Sequence, residues 1–245
     1  MSNKQPEPAA TLMLLRDTAS GIEVFMVQRP SRGAFPGLHV FTGGKVDATD
    51  AQLLTELPWV GQSEEAAQLS LDTPRAMQYY MAAVRECYEE SGVLLGSVNS
   101  QLIGKGLSDR LQRERQREFG ALCTELDVCL ELGELHYFSH WITPAAAPRR
   151  FDTRFFVARM PAGQVAIHAE GETVGGEWIV PADALERGQQ GAWMLIMPTM
   201  VTLQSLSKYR TIDALFDAMK NRQHQPTYSA ELAREGMQAD KGRTL

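Results

Sequence analysis

The sequence lacks long apolar runs, an excess of positive charge and paired cysteines. No apolar stretch in the chain approaches the roughly 18 residues of a membrane-spanning helix, so no membrane partner is expected. The net charge of −6 argues against nucleic acid as a bulk electrostatic partner. Three cysteines without metal-type spacing fit a reducing cytosol. Residues 1–10 also lack the apolar core of a signal peptide, so we expect a cytoplasmic protein.

Size and composition predict one globular domain. The chain has 245 residues, of which 44% are hydrophobic and 22% are charged, and this is enough to bury a full core. We expect the domain over residues 11–225, a flexible tail over residues 1–10 and a polar tail over residues 226–245. Strand patterns mix with helical patterns along the chain, which favours an α/β fold.

The strongest local pattern is a helix that follows an irregular insertion. Proline and glycine break residues 46–73, with short helical stretches expected on either side of the breaks. Pro74 suits the first position of a helix, and Asp72 or Thr73 can cap the N-terminus. The pattern predicts a helix from Pro74 to about Ser91.

The last turns of this helix carry an acidic cluster. Glu86, Glu89 and Glu90 lie on one face, one turn apart, where like charges destabilise an isolated helix. The spacing makes sense if a cation binds there, and oxygen ligands suit Mg²⁺ or Mn²⁺. Arg85 can hold a carboxylate in place, and Gly92 can end the helix in a left-handed cap. A solvated acidic face is the alternative, because short charge runs usually face solvent.

A turn with paired glycines, Gly43-Gly44-Lys45, follows an apolar run upstream of the helix. Such glycines indicate that the backbone passes close to another group. Together with the pair Arg85-Glu86 and the run Glu89-Glu90-Ser91-Gly92, the turn resembles the box of the Nudix hydrolase family. The insertion splits this box, and its first acidic position is either Asp50 or missing.

The split box is similar to that of one family branch, which contains the peroxisomal coenzyme A diphosphatase of animals and its bacterial relatives. Three further segments agree with the branch, namely Gly37–Gly44, His140–Pro144 and Arg150–Phe156. The similarity extends over roughly residues 10–220. It implies a Nudix α/β/α sandwich with a mixed sheet, an insertion between the Gly-Gly turn and the catalytic helix, and extra C-terminal helices.

The resemblance also implies a metal site for Mg²⁺ or Mn²⁺. Its ligands would be the carboxylates of Glu86, Glu89 and Glu90 and the carbonyl of Gly44, with most weight on Glu86 and Glu90. Arg85 would orient one of the carboxylates without binding the metal itself. All of these residues fall at the positions of the family's box.

The general base is expected in a downstream loop, from which family members often draw it. Glu172 is our choice, because its spacing to Trp178 matches the family pattern of a glutamate before a tryptophan strand. Glu170 and Glu177 lie in the same region and are the alternatives. Each of the three glutamates can instead be a solvated loop acid.

Substrate binding is expected around the glycine turn, at Arg29, Arg32, Gly43, Gly44 and Lys45. The resemblance implies metal-dependent hydrolysis of a diphosphate bond in a nucleoside diphosphate linked to another group, with coenzyme A or acyl-coenzyme A favoured. NADH, ADP-ribose or another nucleotide is an alternative substrate. A ligand-binding regulator with a Nudix fold and no turnover is an alternative of another class. A homodimer is expected from the resemblance alone.

Three regions outside the box also receive predictions. Residues 105–119 are rich in arginine and glutamate and predict a solvated helix, with a phosphate-binding patch as the sharper alternative. Residues 121–132 predict a continuing amphipathic helix, and residues 164–168 an edge strand. Residues 198–220 predict one or two helices.

Overall fold

The computed structural model describes residues 5–31, 36–61, 69 and 71–220, together with the backbone of residues 227–229. The strands in chain order are β1 Glu7–Thr18, β2 Gly21–Gln28, β3 His39–Val40, β4 Thr42–Lys45, β5 Trp59–Val60, β6 Gly96–Val98, β7 Gln101–Leu102, β8 Val128–Glu131, β9 His136–Ile142, β10 Phe151–Arg159, β11 Gly175–Ile179 and β12 Thr227–Ser229. The helices are α1 Ala48–Glu56, α2 Thr73–Ser91, α3 Lys105–Glu114, α4 Phe119–Glu125, α5 Pro181–Gln189, α6 Met197–Leu206 and α7 Ile212–Lys220.

Within these ranges, eight strands form a mixed sheet in the order β11–β2–β1–β10–β9–β12. Two short strands complete it, since β3 pairs with β2 and β4 pairs with β1. Strands β1 and β10 run parallel, whereas β1 is antiparallel to β2 and β4. A second sheet has the order β5–β8–β6–β7. None of the helices in the described ranges combines the length and apolar sequence needed to cross a bilayer.

The alternation of side chains along β1 separates two hydrophobic cores. Leu12 and Leu14 point to one face of the sheet and pack in a cluster with the buried side of α2. Met13 and Leu15 point to the other face and pack with residues of α5, α6 and α7, including Leu203. The sheet is therefore covered by helices on both faces, which confirms the predicted α/β/α sandwich with C-terminal helices.

Strand β1 begins within the predicted N-terminal tail. Residues from Glu7 onward pair with the start of β10, where Glu7 lies opposite Phe151. The predicted flexible tail is therefore wrong for residues 7–10, because the sheet supplies backbone partners for this segment. At the other end, Thr227–Ser229 pairs with β9, so this part of the predicted polar tail is held by the sheet. Residues 1–4 and 230–245 lie outside the described ranges.

Two element predictions are wrong for reasons that involve distant parts of the chain. The predicted helix over 121–132 ends at Glu125, because Asp127 has a positive φ of 52° and β8 pairs with β6. Residues 164–168 form no strand, because the hydrogen bonds of this segment go to the end of α2 and to side chains of α3. The C-terminal region forms two helices, α6 and α7.

Candidate active site

Helix α2 carries the acidic cluster and has defined ends. The Asp72 side chain caps its N-terminus by accepting a hydrogen bond from the Arg75 amide, and a proline occupies the first turn. Gly92 ends the helix with φ +70°, and its amide donates to the Tyr88 carbonyl at 2.7 Å. The cap and the end of the helix confirm the helix predicted from the sequence. The helix begins at Thr73, one residue before the predicted start at Pro74.

The glycine turn lies directly against the carboxylates of α2. The Gly43 amide donates to Oε2 of Glu90 at 2.9 Å. A β-carbon on Gly44 would lie 2.4 Å from all three carboxyl atoms of Glu86. A β-carbon on Gly43 would lie 2.4 Å from the Ala10 carbonyl oxygen. Backbone contact requires glycine at position 43, while at position 44 a larger residue would displace the Glu86 carboxylate. The turn thus joins β4 to the acidic face of α2.

Arg85 organises the carboxylates around it. Its Nη1 donates to Oε1 of Glu86 at 2.8 Å and to Oε2 of Glu89 at 3.0 Å. Its Nη2 donates to the Lys45 carbonyl at 3.0 Å. The guanidinium also makes a two-pronged contact with Asp50, with Nε to Oδ1 at 2.8 Å and Nη2 to Oδ2 at 3.1 Å. Arg85 thus orients two of the carboxylates and links them to β4 and to the insertion.

Five residues separate Asp50 from the pair of glycines, and Asp50 belongs to α1 in the insertion. Its side chain is fully buried, and it accepts a hydrogen bond from the Asp47 amide at 2.9 Å as part of a capping box. The sequence left open whether the first acidic position of the box is Asp50 or is missing. In the structure Asp50 contacts Arg85, the arginine of the box.

The electrostatics of the cluster favour a bound cation. Burial raises the pKa of Glu86, and it raises the pKa of Glu89 to about 7 against the opposing effect of Arg85. Burial raises the pKa of Glu90 to about 8, and the hydrogen bond from Gly43 opposes this rise. Buried carboxylates this close together resist ionisation, so a nearby positive charge would stabilise the ionised form of all three.

The donor set fits a hard divalent cation, although no ligand cage is preformed. Carboxylate and carbonyl oxygens are the ligands that Mg²⁺ and Mn²⁺ take. In the described part of the chain, no three acidic, histidine or cysteine side chains already form a metal-binding group. Glu86 and Glu89 face Arg85, and Glu90 faces the Gly43 amide. Side-chain rotations of the glutamates would be needed to converge on a metal.

Glu172 lies in the segment between β10 and β11, and its field reaches the cluster. Burial is the largest cause of the raised pKa of Glu86, Glu89 and Glu90, and the negative charge of Glu172 is a smaller one. Glu177, one of the alternatives, is paired with Arg187 at 2.9 Å and is about half exposed. The charge of Glu172 thus acts on all three glutamates of α2.

A cavity of about 460 Å³ borders the glycine turn. Gly43, Gly44 and Lys45 line it together with Arg29, so four of the five predicted substrate-binding residues share one cavity. The fifth, Arg32, lies outside the described residues. Lys45 is ion-paired with Glu7.

The remaining cavity wall is mostly apolar, and the sequence prediction missed much of it. Its apolar residues include Leu38, Val40, Phe41, Ile142, Phe155 and Ile196. Arg149, from the loop between β9 and β10, adds a cation that the prediction did not single out. The start of α6 supplies Ile196 and Pro198, so the C-terminal helices help to form the pocket. Most of these residues lie in the three segments that resemble the family, but the sequence did not assign them to the pocket, because only the sheet brings the segments together.

The arginine-rich region contains a surface network that was expected and a contact that was not. Arg110 and Arg117 form a surface network with Glu114 and Glu125, as expected for a solvated helix. Arg115 instead binds backbone carbonyls of the segment that carries Glu172, a role that the sequence prediction missed.

Comparison with known proteins agrees with this geometry. The family model of the NUDT19 Nudix domain matches residues 55–206. Human acyl-coenzyme A diphosphatase NUDT19 is 28% identical over 238 residues, covering 80% of this chain and 64% of the human protein. Putative nudix hydrolase 7 of Caenorhabditis elegans is 28% identical over 84% of this chain and 62% of that protein. The chain thus spans less than two thirds of the length of these curated relatives.

A solved structure shows the same fold. The NUDIX hydrolase from Alicyclobacillus acidocaldarius superposes with a TM-score of 0.71 at 25% identity. The match covers 89% of this chain and 97% of that chain. Because the family model covers more than half of the sequence, this protein belongs to the NUDT19 Nudix domain family.

Proposed function

We propose that this protein is a metal-dependent hydrolase of the diphosphate bond in coenzyme A or an acyl-coenzyme A. The contact between the acidic face of α2 and the glycine turn carries the proposal. Gly43 donates to Glu90 and Gly44 lies against Glu86, while both glycines also line the cavity. A diphosphate held at this turn would face carboxylates on one side and the cavity on the other. Relatives named acyl-coenzyme A diphosphatase support the substrate class.

Glu86 and Glu90 would hold the metal, with Glu89 and the Gly44 carbonyl as further ligands. These oxygens suit Mg²⁺ or Mn²⁺, and both of the main ligands adjoin the glycine turn. A bound divalent ion neutralises charge on phosphate oxygens and lowers the pKa of a bound water. Arg85 would keep Glu86 and Glu89 in reach of the site through its two hydrogen bonds.

Hydrolysis breaks one P–O bond of the diphosphate bridge and joins the oxygen of water to the attacked phosphorus. Two phosphate monoesters leave, and the proton from water goes to a base. Glu172 is proposed as that base, because its charge acts on the same three glutamates that would hold the metal.

The cavity favours a substrate with a large apolar portion. A plain nucleotide offers a polar base and sugar, whereas an acyl-coenzyme A adds a pantetheine arm and an acyl chain. Walls such as Phe41 and Phe155 would bury apolar groups, while Arg29, Lys45 and Arg149 could contact phosphates. This lining supports acyl-coenzyme A over NADH, ADP-ribose or a nucleoside triphosphate.

We also propose a compartment and an oligomeric state for the protein. Cys87, Cys123 and Cys129 are free thiols, and this supports a reducing compartment such as the cytoplasm. A homodimer is proposed from the family resemblance, and light scattering on the purified protein would test it. The substrate partner is a small nucleotide-type molecule.

A turnover panel tests the proposed function. We would measure product formation from coenzyme A, an acyl-coenzyme A, NADH, ADP-ribose and a nucleoside triphosphate, with Mg²⁺, with Mn²⁺ and with EDTA. Metal-dependent cleavage of the coenzyme A compounds into two monoesters is expected. Cleavage of another member alone would keep the reaction and discard the substrate class. Tight binding without turnover on any member would favour a ligand-binding regulator.

A further inference from the structure

The segment over residues 161–174, which we name the Glu172 segment, contains no helix or strand. A segment without regular structure needs other contacts to hold a catalytic side chain in one place. Part of the support comes from Gln164, whose side chain accepts from the Leu94 amide at 2.9 Å and donates to the Leu94 carbonyl at 2.8 Å. This double hydrogen bond fixes the start of the segment beside the end of α2.

The end of α2 provides a second attachment. The Ser91 carbonyl belongs to the last turn of the helix, where carbonyl groups lack partners within the helix. It accepts hydrogen bonds from the Ile167 amide at 2.9 Å and from Nε2 of Gln112 at 3.1 Å. The Glu172 segment thus satisfies the helix end that follows the acidic cluster by one residue.

Gln112 of α3 joins the helix end and the segment. Its Nε2 donates to the Ser91 carbonyl and also to the Val165 carbonyl at 2.8 Å. The amide lies directly over Gly92, where a β-carbon would be only 2.1 Å from Nε2. The glycine at this position therefore makes room for the bridging side chain in addition to ending the helix.

Arg115 donates hydrogen bonds to the middle of the segment. Its Nη1 donates to the Ile167 carbonyl at 2.5 Å, and its Nη2 donates to the His168 carbonyl at 3.0 Å. Nη1 also contacts Oε1 of Gln112 at 3.3 Å, so the two side chains form one connected network. A planar guanidinium with fixed donors suits two adjacent carbonyls better than a lysine does.

We propose that Gln112 and Arg115 form a clamp that positions the Glu172 segment against the end of the acidic helix. In the described part of the chain, neither side chain hydrogen-bonds to the acidic cluster, so both are positioning residues that act through Glu172. The clamp explains why one arginine of the charged helix turns away from the surface network. The catalytic consequence of the clamp rests on the proposed function, since Glu172 is the proposed base.

Amide hydrogen exchange tests the clamp directly. We would compare the wild type with Gln112→Ala, Arg115→Ala and Arg115→Lys, using Arg113→Ala as the matched control. Arg113 lies on the same helix, is exposed, and has no hydrogen bond or ion pair to the described residues. Exchange at Ile167 and Thr173 should accelerate by about 10-fold or more in the clamp variants, while amides of β1 stay protected. Unchanged exchange in all three clamp variants would overturn the proposal.

Kinetics on the active holoenzyme with Mg²⁺ distinguishes a positioning role from a general contribution to stability. The clamp variants should lower kcat by about 10- to 100-fold. KM and the Mg²⁺ concentration for half-maximal rate should change by about 2-fold or less, since the metal ligands are untouched. Arg115→Lys should recover part of the loss. Loss of metal affinity equal to the loss of kcat would contradict a role through Glu172.

A double-mutant cycle gives the sharpest test. In the Glu172→Gln background, Arg115→Ala should lower kcat much less than it does in the wild type, because the group it positions is already gone. Equal losses in both backgrounds would refute the link to Glu172. A wild type that is inactive on every substrate would overturn the proposed function, and the exchange measurement would still decide the clamp by itself.

Discussion

Arg85 and Asp50 form a two-pronged ion pair that joins residues 35 positions apart. The side chain of Asp50 is fully buried, and that of Arg85 is 9% exposed. The pair ties the helix of the insertion to the acidic helix, so the insertion is part of the site's support. The insertion separates the two halves of the box in the sequence, and the ion pair brings Asp50 of the insertion into contact with Arg85 of the box.

Asp50→Asn should therefore destabilise the protein and disturb the site. Removal of one partner leaves the Arg85 charge buried with fewer contacts, at a cost of about 3 kcal/mol in the free energy of unfolding. Urea denaturation would measure the change. Glu56→Gln, at an exposed position of the same helix, is the control and should shift the free energy by about 0.5 kcal/mol or less. Equal effects of the two substitutions would contradict a structural role for the pair.

The two glycines of the turn should respond differently to alanine. In Gly44→Ala the new methyl meets the carboxyl end of Glu86, which can rotate away. We expect near-normal thermal stability with weaker Mg²⁺ binding and lower turnover. In Gly43→Ala the methyl meets the Ala10 carbonyl of the backbone, which cannot rotate away. That variant should lose thermal stability, and calorimetry with Mg²⁺ titration would distinguish the two outcomes.

Contrary results are easy to recognise. If Gly44→Ala binds Mg²⁺ as the wild type does, Glu86 is not a metal ligand at this turn. If Gly43→Ala melts at the wild-type temperature, the close approach to β1 does not constrain the turn.

The buried glutamates also predict how stability depends on pH without metal. Burial raises the pKa of Glu89 to about 7 and that of Glu90 to about 8, above the values expected in the unfolded chain. Between about pH 4.5 and pH 8 the folded state binds more protons than the unfolded state. The contribution of these groups to stability is therefore fully present below that range and is lost as the pH rises through it.

Melting temperatures in EDTA at pH 5, 6, 7 and 8 would measure this effect. We expect the Glu90→Gln variant to lose less stability than the wild type as the pH rises, because its amide does not ionise. Mg²⁺ should restore wild-type stability at pH 8, since a cation favours the ionised carboxylates. A Glu90→Gln curve parallel to that of the wild type would show that Glu90 does not titrate in this range.

The sequence predicts the site best where the determinants are local. Asp72, Pro74 and Gly92 mark the ends of α2 through their own capping chemistry, and the glutamate spacing fixes a common face. The family resemblance adds the fold and its two helical layers. These features depend on short stretches of sequence, so they can be recognised without a structure.

The features that the sequence did not predict depend on long-range contacts. Gln112 and Arg115 look like members of a solvated helix, and only the folded chain brings the Ile167 carbonyl to them. Residues 128–131 follow a helical pattern, yet pairing with β6 and a left-handed residue at Asp127 make them a strand. Tertiary partners decide such cases against local preference.

The central claim is that the acidic cluster of α2 binds a divalent metal and cleaves the diphosphate of an acyl-coenzyme A. The most direct measurement is the Mg²⁺-dependent rate for the wild type and for Glu90→Gln on one acyl-coenzyme A, with Glu56→Gln as the control. We expect metal-dependent release of two phosphate monoesters, a loss of about 100-fold or more in folded Glu90→Gln, and a normal rate in the control. Equal rates for Glu90→Gln and the wild type would contradict the claim.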